Sequence, residues 1–109
     1  MREVFSMDEL ESVMEECRDK LVVIDFWAGW CGPCKIIGPM FERLAKDTSL
    51  TSKVEFVKVD VDEAQDIAEW VGVECMPMIV FYRAGEKIDE FAGANTKVLE
   101  EKIREYASS

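Results

Sequence analysis

Residues 21–34 read Leu-Val-Val-Ile-Asp-Phe-Trp-Ala-Gly-Trp-Cys-Gly-Pro-Cys, and this stretch decides the fold. Its first seven residues form a nearly continuous apolar run rich in branched and aromatic side chains, which is typical of a central strand covered on both faces. Its last residues hold Cys31 and Cys34, and an apolar pattern of helical period follows them. We therefore predict a buried strand that leads into a helix, with two thiols at the junction.

The segments on either side alternate between strand and helix patterns. A capping box at Ser6 predicts the start of the first helix, and Pro39 should kink the second helix, which starts at the cysteine pair. This order, βαβαβαββα, indicates one α/β domain over residues 1–109, with a mixed sheet between helices. The predicted strands are residues 4–5, 21–27, 54–61, 78–83 and 87–92, and the later helices are 64–70 and one from about Asn95.

Composition narrows the classes of function. The chain has 13 Lys and Arg against 23 Asp and Glu, a formal net charge of −10. Nucleic acids and anionic membranes are usually bound through basic patches, so we expect neither as a partner. The chain has no His, which excludes Ser-His-Asp and Cys-His catalytic pairs and any His-ligated metal site.

Targeting signals are also absent from the sequence. Residues 8–16 include five acidic side chains, which the apolar segment of a signal peptide would not tolerate. The most apolar stretch is the seven-residue run at 21–27, far short of the roughly 20 residues that span a membrane. Four cysteines in a chain with ample core favour a reducing compartment. We expect a soluble, cytoplasmic protein, with the nucleus as an alternative.

The chemistry is predicted at the cysteine pair. A spacing of three on a first helical turn brings both sulfurs to one side, close enough to bridge. Amides at a helix start favour an anion, so we expect Cys31, as the more N-terminal and more exposed thiol, to be the nucleophile. Cys34 would then resolve the mixed disulfide. Between them, Pro33 fixes its own φ and restricts Gly32, which limits how far the loop can open.

Other interpretations of the pair stay open. A lone CxxC is often half of a zinc site, although a second CxxC or a His pair is missing here. A structural disulfide conflicts with a reducing compartment. A third hypothesis is a binding module whose redox state gates its association with partners. We favour redox chemistry.

Asp25 is the second unusual residue, because it is a carboxylate inside a strand that looks covered on both faces. Desolvation should raise its pKa, which would let it exchange a proton near neutral pH. Lys58, on a neighbouring strand, is its predicted partner. The alternative is that Asp25 lies near the strand end and is simply solvated.

Four segments match a known family. They are residues 23–35, which contain Trp-Cys-Gly-Pro-Cys, residues 59–62 (Val-Asp-Val-Asp), residues 75–77 (Cys-Met-Pro) and residues 91–95 (Phe-Ala-Gly-Ala-Asn). With them the chain resembles the thioredoxin family over essentially its whole length, and small cytosolic animal members most closely. The resemblance implies a thioredoxin fold: a mixed five-stranded sheet in the order 1-3-2-4-5, flanked by four helices.

The resemblance also implies an activity. It is that of a protein-disulfide reductase and electron carrier in cell redox homeostasis, with a Cys31/Cys34 dithiol cycle and no bound cofactor or metal. Thioredoxin reductase and NADPH would recharge it, and disulfide-containing proteins such as peroxiredoxins would be its substrates. Asp25 is implied to assist deprotonation of Cys34, with Lys58 nearby. We expect a monomer, with a dimer linked through Cys75 as the alternative.

A substrate-binding surface follows from the same resemblance. Pro77 matches a cis-proline, Gly93 matches the glycine beside it, and the backbone of Met76 would hydrogen-bond an extended substrate segment. The alternative is that the apolar residues of this surface, Trp30, Val61, Met76 and Ala94, are ordinary loop packing. The remaining residues implied for this surface are Trp30, Gly32, Pro33, Val61 and Ala94.

Two positions depart from the family pattern. Met78 follows Pro77 where the family usually has Thr, and a thioether cannot supply a hydroxyl hydrogen bond. Cys75 is an additional thiol in the predicted docking surface. We expect that its oxidation, glutathionylation or pairing with another chain would block partners; the alternative is an inert, partly buried thiol.

Overall fold

A mixed sheet of five strands is the centre of the computed structural model, which describes all residues from 1 to 109. Its strands are β1 (Arg2–Glu3), β2 (Leu21–Trp27), β3 (Val54–Asp60), β4 (Met78–Arg83) and β5 (Glu86–Ala92). They are ordered β1-β3-β2-β4-β5. β3 runs parallel to β1 and β2, whereas β4 runs antiparallel to β2 and β5. The predicted fold class and strand order are therefore confirmed.

Five helices cover the sheet, one more than the four expected. They are α1 (Met7–Glu16), α2 (Cys34–Ala45), α3 (Thr48–Thr51), α4 (Gln65–Val71) and α5 (Thr96–Ala107). The additional helix, α3, is a single turn in which the Asp47 side chain caps the Ser49 amide at 2.9 Å. Four residues are too few to show an apolar helical period, so the sequence pattern did not predict it.

Some element boundaries also differ from the prediction. β1 lies at Arg2–Glu3 rather than at residues 4–5, although the Val4 amide still donates to the Lys58 carbonyl at 3.2 Å. β5 begins at Glu86, since only Ala84 and Gly85, both with positive φ, form the hairpin turn. α2 includes Pro39, as predicted. None of the helices is both long enough and apolar enough to cross a membrane.

β2 separates two apolar cores because its side chains alternate between the faces of the sheet. Val22, Ile24 and Phe26 pack on the face covered by α1 and α4. Leu21 and Val23 pack on the face covered by α2 and α5. The next position on that second face is Asp25, which is 1% exposed. The strand is therefore buried on both faces as predicted, and Asp25 is buried with it rather than exposed at the strand end.

Candidate active site

The carboxyl end of β2 and the start of α2 bring both cysteines to one edge of the sheet. Cys31 and Cys34 form a disulfide, with their Cα atoms 5.4 Å apart. α2 begins at Cys34 with Pro33 as its N-cap, so Cys31 lies in the loop before the helix rather than in its first turn. Proline suits a helix start because its missing amide proton would have no helical acceptor there.

The two sulfurs differ in their surroundings rather than in exposure. Cys31 is 5% exposed and Cys34 is 6% exposed, so the expected greater exposure of Cys31 is not present. The Cys34 amide donates a hydrogen bond to Cys31 Sγ at 3.2 Å, as a free amide at a helix start can. This donor would stabilise negative charge on the Cys31 sulfur after reduction. Cys34 also lines a cavity that is partly open to solvent.

An apolar rim surrounds the disulfide. Trp27, Val61 and Met76 pack against the small cluster that Ala28 forms with the two cysteines. Trp30 stands out from it, 70% exposed, and its indole Nε1 donates to Asp62 Oδ2 at 2.9 Å. The exposed residues Gly32 and Pro33 complete the loop between the cysteines.

The loop before β4 supports this rim from the side. The peptide bond between Met76 and Pro77 is cis, as the resemblance implied. The Pro77 carbonyl accepts a hydrogen bond from the Gly93 amide at 2.8 Å, and Gly93 has a φ of 105°, which only glycine adopts readily. Ala94 is half-buried and does not belong to the group packed against the cysteines.

The two remaining cysteines are unpaired. Cys17 is buried at the end of α1, whereas Cys75 is exposed just before the cis-proline. Met78 points into the core beneath α1 and α4, so the residue that replaces the family's Thr is buried and lies outside the apolar rim. No three His, Cys, Asp or Glu side chains meet in an arrangement that could hold a metal ion.

A cavity of about 290 Å³ lies where α2 crosses β2 and β3. Asp25 lines it together with Cys34, and neither of its carboxylate oxygens accepts a hydrogen bond from another residue. Burial raises the pKa of Asp25 from 3.8 to about 6, while the positive charge of Lys58 acts in the opposite direction. The site thus holds a carboxyl group that can exchange a proton near neutral pH.

Lys58 faces this cavity but does not pair directly with Asp25. The two residues are opposite each other in the register of β2 and β3. The ammonium Nζ of Lys58 lies 3.5 Å from Glu42 Oε1 and 4.8 Å from the centre of the Trp27 ring. Lys58 therefore shares a cavity with Asp25 and acts on it only through its charge. The ion pair of Lys58 is formed with Glu42.

The sequence interpretation missed two residues of the site. Glu42 follows Cys34 and Gly38 at helical spacing along α2, and all three line the cavity. That periodicity could have placed Glu42 on the same face of α2 as Cys34, but not beside Lys58. Asp62 lies within the matched segment at residues 59–62, but its contact with Trp30 spans 32 positions and no local pattern predicts it.

Comparisons with known proteins give the family. The thioredoxin family model matches residues 3–105. A thioredoxin of Malassezia sympodialis is 52% identical over 90 residues, covering 83% of this chain and 85% of that protein. One from Ictalurus punctatus is 46% identical over 101 residues, covering 93% and 94%. The X-ray structure of Fasciola hepatica thioredoxin has a TM-score of 0.90 at 42% identity, covering 96% and 98%. The chain belongs to the thioredoxin family, and Cys31 and Cys34 are the redox-active pair of a thiol–disulfide oxidoreductase.

Proposed function

We propose that Cys31 is the attacking thiol of this oxidoreductase and that Cys34 is the resolving thiol. The observation that carries this assignment is the hydrogen bond from the Cys34 amide to Cys31 Sγ at the start of α2. In the dithiol state the same amide and the helix dipole would stabilise a thiolate at Cys31, and only a thiolate attacks a disulfide. Cys34 has no such donor, and it lines the same cavity as Asp25.

The reaction then has two exchanges. The Cys31 thiolate attacks one sulfur of a target disulfide, the target S–S bond breaks, and the other target sulfur leaves as a thiolate that takes a proton from water. Cys34 next passes its proton to the Asp25 carboxylate, and its thiolate attacks Cys31 Sγ. The Cys31–Cys34 disulfide forms, and the first target sulfur leaves with the electron pair of the mixed disulfide. Two electrons have passed from this protein to the target.

The apolar rim would hold the target during these steps. Met76 and Val61 cover the disulfide, and the exposed Trp30 side chain is held by Asp62. An extended target segment would pair with the Met76 backbone, with Gly93 and Ala94 beside it. Gly32 and Pro33 lack bulky side chains, which supports the close approach of a target sulfur to Cys31.

Recharging requires a second enzyme, and we propose thioredoxin reductase with NADPH as the electron source. Protein disulfides, including those of peroxiredoxins, would be the substrates. A solved yeast structure that is 34% identical, with a TM-score of 0.84, concerns thiol resolution in a mitochondrial 1-Cys peroxiredoxin through the glutathione/thioredoxin systems. That structure supports the substrate class.

Cys75 bears on where the protein works and how it is regulated. An exposed, unpaired thiol suits a reducing compartment such as the cytoplasm. We propose a monomer of one domain, in which oxidation of Cys75 next to the Met76 backbone obstructs docking of the target. Oxidised wild type and Cys75→Ser should give different species on non-reducing gels; the same species from both would refute a role for this thiol.

The assignment of the two active thiols is tested with insulin as substrate, in the presence of NADPH and a thioredoxin reductase. Cys31→Ser should be inactive, Cys34→Ser should accumulate a mixed disulfide that mass spectrometry detects, and the control Cys75→Ser should keep its activity. Turnover by Cys31→Ser at the wild-type rate would overturn the assignment.

A further inference from the structure

The cavity beside Cys34 holds an unusual set of charges. Asp25 lies on its floor, almost completely buried and without a hydrogen-bond partner. The ionisable groups that line it with Asp25 are Lys58 from β3 and Cys34, Lys35 and Glu42 from α2. The indole of Trp27 lines it as well, and β4 presents only Ile79 beside Asp25. A buried carboxylate opposite a lysine would ordinarily form an ion pair with it.

Two contacts hold the Lys58 ammonium away from Asp25. Glu42, which is 48% exposed at the outer side of the cavity, lies 3.5 Å from Lys58 Nζ. The face of the Trp27 ring lies below the same ammonium, with its centre at 4.8 Å. Since Lys58 is only 14% exposed, its ammonium is confined between these contacts and the cavity. Of the two, only Glu42 carries a full negative charge that competes with Asp25 for the cation.

We propose that Glu42 is a positioning residue of the redox reaction: it anchors the Lys58 ammonium at the outer side of the cavity and so leaves Asp25 free to exchange a proton with Cys34. The inference rests on the proposed role of Asp25 in that exchange. Without Glu42, the lysine can swing inward and pair with the Asp25 carboxylate. An Asp25 paired in this way would hold a proton less well, and would be a weaker base for Cys34.

The sequence alone does not suggest this role, because Glu42 reads as one exposed charge on an amphipathic helix. In the structure, Cys34, Gly38 and Glu42 lie on one face of α2 over the cavity. Gly38 has open space where a Cβ would be, so the cavity stays open along the helix face between Cys34 and Glu42. The resolving thiol and the residue that anchors the lysine are thus fixed by the same helix.

The test measures the titration of the Asp25 carboxyl carbon by NMR in the oxidised protein, where no turnover occurs. Wild type, Glu42→Gln, Lys58→Met and the double variant form a thermodynamic cycle. Glu100→Gln is the matched control, because Glu100 is a carboxylate of similar exposure (39%) in an ion pair with Arg104 on α5. We expect Glu42→Gln to lower the pKa of Asp25 by about one unit in the wild-type background and by less than half of that with Lys58→Met. The control should leave it unchanged.

An equal shift in both backgrounds would overturn the proposal, because Glu42 would then act on Asp25 directly rather than through Lys58. The proposal would also be overturned if Glu42→Gln left the pKa of Asp25 unchanged in both backgrounds. A second readout is the pH profile of mixed-disulfide release in single turnover, whose midpoint should fall in Glu42→Gln by the same shift as the titration. Should Asp25 play no part in proton transfer, that profile would stay fixed while the titration still moved, so the two failures are distinguishable.

Discussion

Asp25 and Asp89 lie on strands of the same sheet, yet their surroundings shift the pKa values of the two carboxyl groups in opposite directions. Asp25, on the central strand β2, has no hydrogen-bond partner, and burial raises its pKa to about 6. Asp89, on the edge strand β5, accepts hydrogen bonds from Lys102 Nζ at 2.6 Å and Tyr106 Oη at 2.5 Å. The first of these bonds contributes most to lowering the pKa of Asp89 below its usual range.

The difference follows from what covers each strand. α5 runs beside β5 and carries long polar side chains that reach Asp89 from the rim of the sheet. α2 covers the end of β2 with Cys34 and Gly38, which are too short to fill the space above Asp25. Pairing therefore stabilises the charged form of Asp89, whereas burial without a paired cation stabilises the neutral form of Asp25. The variants below test this contrast.

The largest effect is expected from Asp25→Asn. Because folding raises the pKa of Asp25, the fold loses stability as pH rises from about 4 through 6. A shift of about two pKa units corresponds to about 3 kcal/mol. Asp25→Asn should therefore unfold at higher urea concentration than wild type at pH 7 and at the same concentration near pH 3.5. It should also release mixed disulfides more slowly. Equal stability of the two proteins at pH 7 would show that Asp25 is not desolvated.

Asp89→Asn should change the stability at pH 7 in the opposite direction and lower it. The lowered pKa of Asp89 means that its contribution is present above pH 4 and is lost as pH falls through the folded value. We expect urea unfolding at pH 7 to show a loss of about 1.5 kcal/mol, typical of hydrogen bonds to a charged group. The difference from wild type should shrink below pH 4, and reductase activity should be unchanged. A gain in stability at pH 7 would break the contrast between the two aspartates.

Gly38→Ala tests whether the open cavity next to Asp25 determines the pKa of that carboxyl group. A Cβ at Gly38 meets no atom within 4 Å, and alanine in a helix interior is favoured over glycine by about 1 kcal/mol. The variant should be more stable by about that amount in urea unfolding. Its methyl group would displace solvent from the cavity, and NMR titration should show a higher pKa for Asp25 than in wild type. A lower pKa would mean that space in the cavity is not what isolates the carboxyl group.

The smallest effect is expected from Asp47→Asn, which concerns a third carboxylate that is paired at the surface. Hydrogen bonds from Ser49, followed by those from Arg104, lower the pKa of Asp47 to about 2. Asparagine caps a helix about as well as aspartate, so the substitution removes only the exposed ion pair. Its urea midpoint at pH 7 should stay close to that of wild type. A loss as large as that of Asp89→Asn would mean that surface pairing contributes as much as partly buried pairing does.

Much of the fold could be predicted from local sequence patterns. The apolar run at residues 21–27 predicted the buried central strand, and Ser6 caps α1 as predicted, with its hydroxyl accepting from the Glu9 amide at 3.2 Å. The Glu9 carboxylate accepts from the Phe5 amide at 3.1 Å rather than from the Ser6 amide, which a capping box would use. In the last helix, Leu99 and Ile103 are four positions apart, as the inward face of a helix requires, and both lie in the core. α3 escaped prediction, because a single turn has no period to detect.

The site could be predicted only in part from local sequence patterns. Cys31 and Cys34 are three positions apart in sequence, so their bridge could be predicted from spacing alone. Their nearly equal exposure could not, since Val61 and Met76 cover them from distant parts of the chain. The ion pair of Lys58 with Glu42 depends on how α2 crosses β3, which no local pattern encodes.

The sequence by itself determined the alternation of strands and helices, the thiol pair at the start of a helix and the carboxylate inside a buried strand, because each depends on spacing along a short segment. Only the tertiary structure decided that Asp25 has no partner, that Lys58 binds Glu42 and that both sulfurs lie under an apolar rim. Burial and ion pairing are set by which segments meet in space, and in this chain those segments are far apart in sequence.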